Sequence, residues 1–129
     1  MMNISRKKQT GYIDEIDKIV ALSLLYDFYG ELLSEHKKRI FEDYVLNDLS
    51  LSEIAMEQGI SRQGVHDVIK RCTKELTDYE DKLGLIHKFD KTREKVNQMK
   101  HLSFQLKKSG DLSIIDEIEE LSNKILEDL

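Results

Sequence analysis

Not one proline interrupts the 129 residues of this chain, tryptophan is absent, and cysteine occurs once, at Cys72. The missing prolines, together with only six glycines, exclude the turn-rich designs that join many short strands and leave room for long, unbroken helices. A single cysteine excludes an internal disulfide and a thiolate metal cluster, and the four histidines show no ligand spacing such as His-x-x-x-His. The reading therefore expects no metal and no cofactor. Long apolar runs are missing too. The longest, "IVALSLLY" at 19–26, is bounded by Asp17, Lys18 and Asp27, far short of the roughly 20 apolar residues that cross a bilayer. Arg6, Lys7 and Lys8 resemble the basic start of a signal peptide, but Asp14, Glu15 and Asp17 interrupt the apolar segment that would have to follow. A cytoplasmic protein without a membrane span is the expectation.

What is present is charge, 35% of the residues, and apolar residues at helical spacing. The length suits one compact domain with appended helices, so the expected fold class is all-α. The net charge of −5 argues at first against a polyanionic partner, but it is unevenly placed. Residues 111–129 hold seven acids against Lys124, which leaves 19 basic and 18 acidic groups for the rest. The acidity belongs to the tail, and the body carries local basic faces.

Apolar residues at 13, 16, 20, 24 and 28 predict a first helix punctuated by Gly30, with Tyr26, Phe28 and Tyr29 beside Leu25, Leu32 and Leu33 as core. Ser34 is placed to cap a second helix bearing Ile40, Phe41, Tyr44 and Val45 on one side, ended by Asn47 and Asp48. Gly84 is the expected stop of a long helix from Ser61 to about Lys82. After "LGLIHKF" a charged helix is expected over about 90–108, and Ser109 and Gly110 break it. A last amphipathic segment aligns Ile114, Ile118, Leu121 and Ile125 among acids, a stripe suited to pairing with another subunit or to folding back on a basic face as a polyanion mimic, the alternative being a solvated end. The organisation read from this is a helical domain over 1–88 and a C-terminal helical extension over 89–129, its last part acidic.

Residues 50–82 carry the signal for a helix-turn-helix. Ser50 and Glu53 form a Ser-x-x-Glu capping box with Leu49 and Ile54 in the staple positions, and Ser61 repeats the capping logic with Ile60 and Val65. Gly59 lies where the backbone must turn with positive φ. In the second helix Val65, Val68, Ile69, Cys72 and Leu76 form one apolar stripe. Gln63, Asp67, Lys70 and Lys74 then fall on the opposite side, with His66 and Arg71 on the flanks and Arg62 at the amino end.

That outer side suits a nucleic acid. A helix fits the major groove with its amino end at base edges, where Arg62 would pair with guanine and Gln63 with adenine. Lys70, Arg71 and Lys74 would hold phosphates without reading sequence, and His66 is placed for a phosphate contact. The candidate nucleic-acid-binding residues are therefore Ser61, Arg62, Gln63, His66, Lys70, Arg71 and Lys74. Cys72 on the apolar stripe reads as a small core residue. No nucleophile stands beside a base, and no glycine-rich phosphate loop or working carboxylate pair is present. An enzyme is not expected.

"LYDFYGELLSE", "DLSLSEIA", "GISRQGVHDVIKR" and "YEDKLGL", spread over roughly residues 21–90, resemble the YlxM family of small bacterial helix-turn-helix proteins associated with the signal recognition particle. The "SLSEIA" and "GISRQ" portion alone is also similar to region 4 of bacterial sigma factors. The resemblance implies a sigma-region-4-like helix-turn-helix bundle with additional C-terminal helices, and a regulatory role connected with the particle. Ser61, Arg62 and Gln63 fall on the family's "SRQ" element, whereas Gly64 departs from the alanine expected there.

Three functions follow as alternatives. The helix-turn-helix binds duplex DNA as a regulator of the particle's pathway, with homodimerisation as a route to a second half-site. It serves instead as scaffold in an adaptor for the particle's RNA, its GTPase or both, through the basic segment 90–108. Or it is a DNA-binding transcription regulator unrelated to the particle.

Overall fold

A computed structural model describes the backbone of residues 11–129 and the side chains from Asp17 onward. Arg6, Lys7 and Lys8, and the side chains of Ile13 and Ile16, lie outside the described residues. Apart from short links the described residues are helical, and they contain no strand. The helices are α1 (Gly11–Tyr29), continued by a 3-10 turn (Gly30–Leu32), α2 (Glu35–Val45), α3 (Leu51–Gln58), α4 (Arg62–Leu83), α5 (Leu85–Ser109) and α6 (Ile114–Asp128). They form two compact units that divide between Leu83 and Gly84.

In the first unit α4 is the central element and packs on α1, α2 and α3. Its Val65, Ile69, Cys72 and Leu76 are buried at intervals of three and four residues, the stripe a helix must present to a core. Against it α2 buries Ile40, Phe41 and Val45, and α3 buries Ile54 and Ala55. The aromatic residues of α1 close the core from the third side. Tyr29 is 1% exposed and its ring lies 6.0 Å from that of Tyr79, while Tyr26 lies 5.9 Å from Phe41. Their hydroxyls do not go unsatisfied: Tyr26 donates to the Glu42 carboxylate, and Tyr29 donates to Glu80 Oε1 at 2.5 Å. One expectation for this core is corrected. Leu32 is exposed, because the chain tightens into the 3-10 turn at Gly30 and shifts the phase of the side chains that follow, and Phe28, before the turn, is half-buried.

The second unit is a helical hairpin in which α6 folds back along α5. Here the expected limits shift. "LGLIHKF" is helical, since Gly84 adopts the left-handed conformation at φ 61° and ends the preceding run in one residue, so that α5 begins at Leu85. The two compact units divide just before this glycine. Ile114 is buried, and Ile118, Leu121 and Ile125 are half-buried. The stripe lies in part on the basic α5 of the same molecule, with the Lys95 ammonium paired to the Asp128 carboxylate.

Candidate nucleic-acid interface

The helix-turn-helix is built from its caps outward. Glu53 N donates to Ser50 Oγ at 3.1 Å and Ser50 N to Glu53 Oε1 at 2.9 Å, so the capping box closes and α3 starts at Leu51. Hydrogen bonds from the Ser50 backbone N–H and from its hydroxyl hold the Glu53 carboxyl below the usual carboxylate range. At the other end Gly59 turns at φ 66°, with its N–H on the Ala55 carbonyl. Ser61 Oγ then accepts from Gly64 N at 2.9 Å and opens α4. Nothing lies within 4 Å of where a Cβ on Gly59 would stand, so Gly59→Ala tests the backbone alone. It should cost about 1 kcal/mol of unfolding free energy without affecting packing. An unaltered denaturation midpoint would show that this turn does not need the left-handed conformation.

With Ile54 and Val65 fully buried between the two helices, the outer side of α4 is left to solvent. Ser61, Arg62, Gln63, His66, Lys70, Arg71 and Lys74 are all exposed, together on one end and one side of α4. They are not equivalent. The Ser61 hydroxyl is engaged as the cap. Gln63 Nε2 donates to Asp67 Oδ1 at 3.0 Å, and His66 Nδ1 is 3.8 Å from the same oxygen. Lys74 Nζ lies 3.1 Å from Asp78 Oδ2. Among the described residues, Arg62, Lys70 and Arg71 form no ion pair, and they supply the free positive charge of the face. The basic start of α2 differs: Lys37 pairs with Glu75 at 3.4 Å and Lys38 with Glu31 at 2.9 Å.

One cation of this face escaped the reading of the sequence. A cleft of about 350 Å³ beside α4 is lined by Lys18 of α1 together with Tyr44, His66, Lys70, Thr73 and Lys74. Lys18 thus joins a group it is far from in sequence, and no local pattern marks it, because only the packing of α1 on α4 brings it there. The Cys72 thiol faces the other way. It is buried and its pKa is pushed up to about 11 by that burial, as suits a core residue.

A small all-helical protein whose exposed feature is the second helix of a helix-turn-helix is the class that fold and site define. Residues 16–118 match the family described as "UPF0122: Putative helix-turn-helix protein, YlxM / p13 like", and the chain belongs to that family. It is 40% identical over 112 residues to the UPF0122 protein of Thermoanaerobacter sp. strain X514, covering 86% of this chain and 96% of the relative. The UPF0122 protein of Acetivibrio thermocellus is 40% identical over 116 residues, 87% of this chain and 99% of the relative. The UPF0122 protein YlxM of Bacillus subtilis strain 168 is 38% identical over 107 residues, 82% and 97% of the two chains.

Proposed function

We propose that the protein is a nucleic-acid-binding regulator that docks the outer side of α4 on a polyanion, duplex DNA in the first place. The observation that carries this reading is the exposure of Arg62, Lys70 and Arg71 without ion-pair partners among the described residues, on a chain whose net charge is −5. In salt the field of a charge is screened within roughly 10 Å, so a phosphate backbone responds to the cations it touches more than to the net charge of the chain. Arg62 and Gln63 at the amino end of α4 are the base-reading pair. Lys70, Arg71 and Lys74, with Lys18 beside them, grip the backbone. For Gln63 to read a base it must leave Asp67, and for Lys74 to hold a phosphate it must leave Asp78. Both exchanges are inexpensive between exposed groups.

The tie to the signal recognition particle rests on the family resemblance and makes the particle's RNA the competing polyanion. An A-form major groove is too narrow for α4, and the basic α5 that would serve RNA has its Lys95 neutralised by Asp128. Duplex DNA is therefore favoured.

Fluorescence anisotropy with a DNA duplex and an RNA hairpin, each over a range of salt, tests the reading. Arg62→Ala with Lys70→Ala should weaken DNA binding by about 10- to 100-fold and flatten the slope of log affinity against log salt by about 1, the share of the Lys70 phosphate contact. Both residues are exposed, so stability should not move. Undiminished binding by the double variant removes this face, and tighter binding to the RNA hairpin than to the duplex moves the function to the adaptor reading.

A further inference from the structure

The hairpin of α5 and α6 holds an apolar pattern that the contact between the two helices leaves partly unused. On α5, Phe89, Thr92, Val96, Met99, Ser103 and Leu106 recur at steps of three and four. Ile115, Ile118, Ser122, Ile125 and Leu129 do the same on α6. Such a repeat is the seam of a helical bundle. If each helix had only the other as neighbour, the seams would face one another and be covered across their width. They are covered along one edge instead. Met99 and Leu106 are half-buried against α6, and Ile118 and Ile125 against α5, whereas Val96 is 48%, Ile115 38% and Leu129 75% exposed, with Leu126 beside them at 66%.

At 100° per residue the centre of each seam lies about 50° away from the direction of the other helix, and both are rotated toward the same side of the hairpin. That is the geometry of half a four-helix bundle, in which every stripe points at a common axis and not at one neighbour. The opposite side is a groove in which Glu94, His101, Glu117 and Lys124 stand around the half-buried Leu102 and Leu121.

We propose that the other half of this bundle is a second copy of the same hairpin, which makes α5–α6 the dimerisation module of the chain. Charge selects this occupant. The apolar side is bordered by Lys100 on α5 and Glu119 on α6, both exposed. The ion pair of Lys95 with Asp128 sets the register of the hairpin and brings Glu119 within about one helical turn of Lys100 along the axis. A two-fold axis parallel to the helices lays α5 of one copy beside α6 of the other and pairs Lys100 with Glu119 twice. The two-fold perpendicular to the helices would stack lysine on lysine. A patch complementary to itself under one two-fold is what a symmetric homodimer requires. The hairpin also needs such cover, since Gly84–Leu129 buries one side chain, Ile114, too little for a unit of this size to hold itself together.

The inference does not depend on nucleic-acid binding. It is tested on the whole chain by gel filtration with light scattering, from roughly 1 to 200 µM. The expected mass is twice 15.1 kDa. Val96→Glu with Leu126→Glu should weaken the dimer at least ~30-fold, with far-UV circular dichroism showing that the helices persist. Lys100→Glu and Glu119→Lys should each weaken it by about 3- to 10-fold, and the two together should restore it, a rescue that a merely unfolded hairpin would not give. A monomer at every concentration overturns the proposal and leaves the apolar side to a different protein. A dimer that survives Val96→Glu with Leu126→Glu, or a double charge swap no more dimeric than the single changes, overturns it as well.

Discussion

Phe41→Ala should lower the unfolding free energy of the first unit by about 3 to 5 kcal/mol. Phe41 is fully buried where α2 meets the Tyr26 ring of α1. Removing its ring takes away the transfer free energy of a phenyl group and leaves a cavity that three helix backbones cannot all close upon. A domain of this size holds only about 5 to 10 kcal/mol in total, so most of its stability should go. Urea denaturation followed by helicity reads the loss. The ridge residues of α4 are untouched by this change, yet nucleic-acid binding should fall near physiological temperature because α4 loses the support that presents them. At low temperature, where enough of the variant stays folded, affinity should recover. Arg62→Ala with Lys70→Ala should show the opposite combination, weak binding at every temperature and an unaltered denaturation curve. A loss below about 1 kcal/mol for Phe41→Ala would mean that the core is centred elsewhere.

The features legible in the sequence were those written in local chemistry. Ser50, Glu53, Gly59 and Ser61 each fix a backbone hydrogen bond within a few residues of themselves, so the helix-turn-helix could be drawn before any packing was known. The stripe from Val65 to Leu76 determined by periodicity which side of α4 turns outward. What local chemistry does not encode is which distant residues share a surface. Lys18 lies beside Lys70 and Lys74 because α1 packs on α4. Asp67 and Asp78 lie one turn from Gln63 and Lys74, and that spacing was visible in the sequence. The resulting bonds divide the face into engaged groups and free ones, which a count of its charges does not show. Gly84 was legible as the end of α4, but the start of α5 directly after it was not, for a different reason. A glycine followed by apolar residues fits a linker as well as a one-residue break between two helices, and only the left-handed φ at that position separates them. The direction of the 114–125 stripe likewise depended on whether the link at 110–113 would bring α6 back onto α5.

Ile114→Asp should open the hairpin, and its effect should stay within the second unit. Ile114 is the one buried side chain between Gly84 and Leu129. A carboxylate in its place loses the apolar contact and must either be desolvated or leave, a cost of several kcal/mol that a two-helix contact cannot absorb. Hydrogen exchange should show amides from Ile114 to Asp128 losing protection, while those of α3 and α4 keep theirs, because the Ile54–Val65 contact that supports them lies in the other unit. Release of α6 should also free Lys95 from Asp128 and withdraw the apolar side on which the second copy would sit, so the dimer should be lost along with the protection. Asp128 strengthens the contrast. Its carboxyl is held below the usual aspartate range chiefly by the hydrogen bond and charge of Lys95, and that depression should disappear when α6 swings away. NMR titration of this carboxylate therefore reports the opening independently of exchange. Protection lost equally in both units would show that they unfold as one and would contradict a separate hairpin, whereas protection kept in α6 would show that Ile114 is not what fastens it to α5.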